Sequence, residues 1–325
     1  MATALAALMS LPSVPLSPHA TPIDELARLR EALGPRCPQL FMKRDDLLSF
    51  AMGGNKVRKM QHVAAEAIAG GADALVTCGG IQSNHARVTA AAGAALGLGV
   101  TLVLNGTPQE TATGNARLDG LFGATVHPVA TREEREPAMA KVAADLTAAG
   151  RRPFVVPLGA STPTGALGFA RGVSEIAAAG LRPDVIVHST SSGGTQAGVV
   201  AGCMLFGLKA RVIGISADEP APVLEAVVRT LLAGMAERLG ARTASLAGDR
   251  PIEIDDRFVG PGYGIPTKES TSATELVARR EGIVLDPVYT AKAMAGLFAR
   301  IRSDEFTPAQ KVLFWHTGGV PGYFA

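Results

Sequence analysis

Asp184-Val185-Ile186-Val187-His188 is a short apolar run, followed two residues later by Ser191-Ser192-Gly193-Gly194-Thr195-Gln196-Ala197-Gly198 and then by Val199-Val200-Ala201-Gly202. It reads as a buried strand, a glycine-rich loop and a helix, the repeating unit of an α/β fold. The first turn of such a helix carries unpaired backbone N–H groups and the positive end of its dipole, so small residues before it make an anion cradle without a cationic side chain. The spacing matches neither the dinucleotide fingerprint nor the Walker loop, which argues against a nucleotide. Taken alone, the stretch is equally well read as an ordinary strand-to-helix turn.

A second run, Met52-Gly53-Gly54-Asn55-Lys56-Val57-Arg58-Lys59-Met60, puts a lysine directly after a glycine pair at the start of an amphipathic helix. Glycines let the backbone turn sharply and lie against a flat group. A lysine in a water-poor site loses its proton readily and becomes a nucleophile. Together these suit a pyridoxal phosphate Schiff base on Lys56, although on this run alone a surface lysine at a helix start is the better reading. Lys59, one turn on, is a candidate charge for the cofactor phosphate or a solvated helix residue. A third run, Gly79-Gly80-Ile81-Gln82-Ser83-Asn84-His85-Ala86-Arg87, places Ser83 as the N-cap of a helix. Its hydroxyl, the Asn84 amide and the free N–H groups of the first turn would hold a carboxylate; plain capping is the competing explanation. His85 reads either as a packing residue or as a site residue.

Composition narrows the class. The chain has 325 residues, 47% hydrophobic, with 37 glycines, as alternating buried strands and helices require. Lysine and arginine number 31 against 29 acidic residues, so there is no basic field for nucleic acid or an anionic membrane. Cys37, Cys78 and Cys203 are odd in number and lack metal-ligand spacing, which points to reduced packing cysteines in a cytoplasmic protein and to no metal site. The stretch 1–20 has an apolar patch but no positive flank and is broken by prolines, unlike a signal peptide or anchor. The apolar stretch 90–104 is too short to span a membrane.

Periodicity predicts helices over 23–33, 56–69, 84–96, 112–122, 133–149 and 166–179, a helix from Gly198, and two helices within 221–239. It predicts strands over 39–43, 74–78, 100–104, 125–128, 154–156, 211–215 and 312–316, besides the strand at Asp184. Short connections between them imply parallel sheets.

With these segments in order, the chain resembles the pyridoxal-phosphate family that contains D-cysteine desulfhydrase and 1-aminocyclopropane-1-carboxylate deaminase. The likeness spans nearly the whole chain. Further motifs are Lys43-Arg44-Asp45-Asp46, Pro261-Gly262-Tyr263-Gly264, Asp286-Pro287-Val288-Tyr289-Thr290 and His316-Thr317-Gly318-Gly319. The resemblance implies a tryptophan-synthase-β-like α/β fold: two open, mainly parallel sheets flanked by helices, with the cofactor between two domains. The larger domain is expected over 1–56 and 168–325, the smaller over 57–167, the latter closing over the site. It implies that Lys56 carries the cofactor, that Ser191, Ser192, Gly193, Gly194 and Thr195 take its phosphate with Lys59 near, and that Asn84 and Thr290 face it. Ser83, Asn84, His85 and Thr317 would meet a small amino-acid substrate, and Tyr263 and Tyr289 would transfer or position protons; by themselves both tyrosines could be packing residues. A homodimer is also implied.

Two positions separate the branches. Thr290 stands where the deaminase branch resembles a tyrosine-glutamate pair, and Thr317 where that branch resembles a leucine. A carboxylate would keep the pyridine nitrogen protonated and strengthen the electron sink that ring opening demands, whereas a hydroxyl only hydrogen-bonds it. The expected activity is therefore β-elimination from D-cysteine, with L-cysteate sulfo-lyase, 1-aminocyclopropane-1-carboxylate deaminase and a cofactor-binding protein without turnover as alternatives.

Overall fold

The computed structural model describes residues 2–107, 111–248 and 251–325. In chain order its elements are α1 (Ala2–Met9), β1 (Ile23–Glu25), α2 (Ala27–Leu33), β2 (Gln39–Arg44), α3 (Asn55–Ala69), β3 (Ala74–Gly80), α4 (Asn84–Leu96), β4 (Gly99–Asn105), α5 (Gly114–Leu121), β5 (Thr125–Val129) and α6 (Arg135–Ala148). There follow β6 (Pro153–Val155), α7 (Pro163–Ala178), β7 (Val185–Thr190), α8 (Gly194–Leu205), β8 (Arg211–Ser216), α9 (Ala221–Arg238), α10 (Thr243–Ala247), β9 (Glu253–Asp255), α11 (Lys268–Glu281), α12 (Thr290–Arg302) and β10 (Lys311–His316).

The strands form two sheets, ordered β1-β2-β10-β7-β8-β9 and β5-β4-β3-β6. Every pairing is parallel except the β1–β2 edge. Parallel strands covered on both faces need apolar residues at successive positions, and β7 is buried throughout. Its alternate residues point to opposite sides. Val185 and Val187 pack with Met294, Leu297 and Phe298 of α12, while Ile186 packs with Phe169 and Val173 of α7 and Val199 of α8. The second sheet repeats this layering: Leu75 and Leu102 pack on Val57 and Met60 of α3, and Val76 and Val103 pack on Met139 of α6. Helices α7 and α8 approach so closely that a Cβ on Gly198 would stand 2.4 Å from the Ala166 carbonyl oxygen.

Two expected elements take a different form in the structure. The helix expected over 23–33 is divided, because Ile23–Glu25 pairs antiparallel with β2 and only Ala27–Leu33 is helical. The two helices expected within 221–239 are one, α9. Its Gly234 is a packing residue, since a Cβ there would meet Pro163 Cγ at 2.5 Å. Helices α1, α10, α11 and α12 and strand β9 went unanticipated.

A buried ionic cluster anchors the start of α3. Arg58 Nε donates to Asp45 Oδ2 and its Nη1 to Glu175 Oε1, both at 2.6 Å, while Lys43 Nζ donates to Glu175 Oε2 at 2.5 Å. Burial alone would strip the charge from Arg58, but Asp45 and then Glu175 outweigh it and hold the guanidinium protonated. The cluster joins α3 to β2 and α7, and so immobilises the helix that carries Lys56 and Lys59. Among the described residues no helix is long and apolar enough to cross a membrane, and no group of three His, Cys, Asp or Glu could hold a metal ion. All three cysteines are buried, and no disulfide joins them among the described residues.

Candidate active site

A cavity of about 260 Å³ lies between the two sheets. Its wall takes Gly80, Asn105, Thr190 and Thr317 from at or just beyond the carboxyl ends of β3, β4, β7 and β10. This is where ligands enter open α/β sheets, because loops diverge there and helix N-termini point inward.

One end of the cavity is built for an anion. After β7 the chain passes through Ser191, Ser192 and Gly193, and Gly193 takes φ +73°, open to glycine at no steric cost. The first intrahelical bond of α8 runs from the Ala197 N–H to the Gly193 carbonyl at 3.0 Å. The N–H groups of Thr195 and Gln196 therefore have no partner among the described residues. Opposite stands Lys59, 1% exposed, donating to the Gly159 carbonyl at 3.2 Å and to Ser161 Oγ at 3.0 Å. Ser161 Oγ in turn lies 2.7 Å from Ser192 Oγ. Lys59 meets no carboxylate among the described residues, and burial, followed by repulsion from Lys56, pushes its pKa well below the lysine range. A Cβ on Gly194 would stand 2.7 Å from Ser161 Oγ and 2.8 Å from Lys59 Nζ, so the missing side chain keeps the cradle open. A buried cation without a counterion, facing a helix N-terminus, fits a phosphate group, which would supply the counter-charge and restore the Lys59 proton.

Lys56 reaches the same cavity from a strained turn. Ala51, Met52, Gly53 and Gly54 all have positive φ. The turn is pinned by Gly54 N–H to the Asp45 carbonyl at 2.8 Å and by Asn55 N–H to the Thr317 carbonyl at 2.9 Å. Asn55 Nδ2 donates to Thr195 Oγ1 at 2.9 Å, tying the lysine to the cradle. Lys56 Nζ has one weak partner, Asn55 Oδ1 at 3.3 Å. Burial, then the Arg87 charge, lowers its pKa from 10.5 to about 8, against a smaller pull from Asp286. A nucleophilic amine is thus present near neutral pH.

The third segment also lines the cavity. Ser83 caps α4 by accepting the Ala86 N–H at 3.2 Å, which leaves its hydroxyl proton available. Asn84 Oδ1 accepts from Arg87 Nη1 at 2.9 Å and from Asn115 Nδ2 at 3.0 Å. Arg87 is fully buried and forms no ion pair with Asp46 among the described residues. Its Nη1 also donates to Asn115 Oδ1 at 2.9 Å, and its Nη2 to the Gly53 carbonyl at 2.8 Å. His85 Nε2 lies 2.7 Å from Thr77 Oγ1, and burial, then Lys56, keeps the ring neutral by driving its pKa well below the usual histidine value.

At the mouth the Tyr263 and Tyr289 hydroxyls share a short hydrogen bond, with their rings edge to face at 5.8 Å. Burial raises the pKa of both, and Tyr263 raises that of Tyr289 further, so both are neutral proton donors. Thr317 lines the cavity, its Oγ1 2.9 Å from Ser189 Oγ. Thr290 does not. It is wholly buried, donates to Asp286 Oδ1 at 2.6 Å and accepts the Asp286 N–H at 2.8 Å.

Of the residues singled out in the sequence, Lys56, Ser83, Asn84, His85, Ser191, Ser192, Gly193, Thr195, Tyr263, Tyr289 and Thr317 line the cavity, and Lys59 and Gly194 lie just behind the cradle. Sequence reading missed Asn105, Arg132, Arg135, Ser189 and Asp218 in the wall. Only Ser189, between β7's apolar core and its loop, adjoins a motif; the others carry no local signal and meet only through the fold.

Known proteins share this arrangement at family level. The sequence profile of the family described as "Pyridoxal-phosphate dependent enzyme" matches residues 14–318. The chain is 38% identical to a D-cysteine desulfhydrase of Serratia proteamaculans (strain 568), over 98% of this chain and 97% of the relative. It is 40% identical to a D-cysteine desulfhydrase of Yersinia pestis (strain Pestoides F), with the same coverage of 98% and 97%. The crystal structure of an ACC deaminase homologue superposes with a TM-score of 0.91 at 36% identity, over 100% of this chain and 97% of that one. A pyridoxal 5'-phosphate-dependent aspartate racemase shares the fold, with a TM-score of 0.73 at 16% identity over 98% and 95% of the two chains. A lysine in a strained turn beside an anion cradle, in a chain matched from residue 14 to 318, makes this protein a member of the pyridoxal-phosphate-dependent enzyme family.

Proposed function

We propose that the protein is a pyridoxal-phosphate-dependent carbon–sulfur lyase that converts D-cysteine to pyruvate, hydrogen sulfide and ammonia. The observation that carries this reading is the convergence of Lys56, the Ser191–Thr195 cradle, the Ser83 helix start and the Tyr263–Tyr289 pair on one cavity. The D-cysteine desulfhydrase relatives, alike over nearly the full chain, support the substrate.

Lys56 would hold the cofactor covalently, with Lys59 and the N-terminus of α8 on its phosphate. Bound there, pyridoxal phosphate supplies the electron sink for charge developing at the substrate α-carbon. The protein's own groups handle the rest. The Ser83 hydroxyl, Asn84 and the first turn of α4 bind the substrate carboxylate. Lys56, with its lowered pKa, can take the α-proton near neutral pH; Ser83 and Tyr289 are the candidates on the other face. Tyr289, kept neutral by burial and backed by Tyr263, can return a proton to the departing thiolate. Thr317, a hydroxyl where the deaminase branch resembles leucine, favours elimination over ring opening; Thr290, expected to face the cofactor ring, is bonded to Asp286 outside the cavity wall and lends no such support.

The same reading divides the chain into a larger domain over 1–56 and 168–325 and a smaller one over 57–167. In support, all four strands of the second sheet fall within 74–155. A cytoplasmic homodimer is part of the proposal: the family resemblance supports the dimer, and an odd number of cysteines without metal-ligand spacing supports the compartment.

The test is to incubate cofactor-loaded protein separately with D-cysteine, L-cysteine, L-cysteate and 1-aminocyclopropane-1-carboxylate and to identify the keto acid. Pyruvate with sulfide from D-cysteine is expected. 2-Oxobutanoate from the cyclopropane acid would overturn the argument from Thr317, and no keto acid from any of the four would overturn the lyase reading.

A further inference from the structure

The cavity holds one cation that this reading leaves unused. Arg135, in the first turn of α6, is 8% exposed and lines the cavity beside Asn105 and Gly80. Its Nε donates to Asn105 Oδ1 at 2.7 Å, and its Nη2 donates to the same oxygen. Nη2 would lie 3.8 Å from a Cβ on Gly80, three residues before Ser83, so the guanidinium passes over the end of β3 next to the substrate segment. No carboxylate among the described residues forms an ion pair with it. Its neighbour Arg132 differs in this respect: exposed at the rim, it donates to Asp218 at 3.1 and 2.8 Å and to Glu219 at 2.9 Å. Asp218, the one acid among the described residues of the cavity wall, is thus already engaged.

Among the described residues the guanidinium hydrogen-bonds only a neutral amide, and burial lowers its pKa against weaker pulls from Cys78, Tyr263 and Asp218, so its charge is incompletely balanced. A charged ligand group facing it would remove the imbalance, and the planar fork of arginine suits carboxylate and sulfonate oxygens.

We infer that Arg135 and Asn105 form the subsite for the substrate β-substituent and select amino acids whose β-group is an anion or departs as one. This rests on the proposed lyase reading of the Lys56 cavity. In the elimination the α-proton passes to a base, the C–H electron pair becomes the Cα=Cβ bond, and the Cβ–S pair leaves with sulfur as a thiolate. Arg135 stabilises that thiolate, and the same contact accommodates a β-sulfonate or β-carboxylate.

The test is calorimetric titration of the cofactor-loaded protein with aspartate and with its neutral isostere asparagine, in the D and L series, with D-alanine as the uncharged reference. A charge-assisted contact to a buried arginine predicts that aspartate binds about tenfold more tightly than asparagine, or better, in at least one series. In Arg135→Met the ratio falls toward one, and in Arg135→Lys it is partly kept. Equal affinities in the unmodified protein, binding of neither, or a ratio that survives Arg135→Met would each overturn the subsite. The cofactor absorbance separates the two readings. If D-alanine perturbs it while aspartate has no advantage, the subsite alone falls; if no amino acid perturbs it, the Lys56 reading falls and takes the subsite with it.

Discussion

Arg87 Nη2 donates to the Gly53 carbonyl at 2.8 Å, so the helix that begins at Asn84 is fastened to the turn that delivers Lys56. The bond joins the Ser83 segment of one sheet to the lysine loop running out from the other. It also sets a buried positive charge near the amine, and that charge is second only to burial in lowering the Lys56 pKa.

Replacing Arg87 should therefore move the titration of Lys56. Its amine is neutral above a pKa of about 8 and protonated below it, so cofactor uptake by the apoprotein should accelerate as pH rises through that value. Arg87→Met removes the repulsion, raises the Lys56 pKa and shifts the uptake midpoint to higher pH, whereas Arg87→Lys retains the charge and the midpoint. Uptake rates measured from pH 6 to 10 decide it; superimposable profiles for the unmodified protein and Arg87→Met would show that the arginine only packs.

Gly194 supplies a second prediction, about space. Its φ is not in the positive region, so alanine meets no backbone strain there and Gly194→Ala should still fold. The new methyl would stand 2.7 Å from Ser161 Oγ and 2.8 Å from Lys59 Nζ. Affinity for pyridoxal phosphate should drop about tenfold or more, on the order of 1.4 kcal/mol, with the apoprotein still folded and its melting temperature lowered only modestly as Ser161 and Lys59 yield to the methyl. Unaltered cofactor affinity would mean the phosphate lies elsewhere.

The tyrosine pair concerns rate and not binding. Tyr289→Phe removes a neutral hydroxyl held by Tyr263 at the cavity mouth, and loss of a positioned proton donor typically slows turnover by about a hundredfold or more. Steady-state kinetics should show kcat falling with cofactor affinity intact. An unchanged kcat would reduce both tyrosines to packing residues.

Much of the fold was legible because parallel strands are short and apolar and the helices between them are periodic. Helix α4 was expected over 84–96 and spans Asn84–Leu96; β4 and β5 differ from expectation by a residue at one or both ends. What escaped was decided by tertiary packing. Ile23 fits the helical period of Leu26 and Leu29, yet it serves as an edge strand on β2, while α11 and α12 follow a long stretch without clear alternation. At the cavity, the legible residues were those whose local chemistry is unusual: a lysine after two glycines, hydroxyls before a glycine pair, tyrosines in a chain with only three. Lys59 could be read either as solvated or as a phosphate ligand, and burial at 1% exposure removes the first option. Arg135, Asn105 and Asp218 come from three separate segments of ordinary composition, so only the folded chain brings them to one wall.

The claim on which all of this turns is that Lys56 carries the cofactor. Reducing the loaded protein with borohydride and mapping the modified peptide by mass spectrometry tests it directly. The account predicts a pyridoxyl group on Lys56 alone, and none in Lys56→Ala; a label on Lys59 or on any other lysine of the unmodified protein would contradict it.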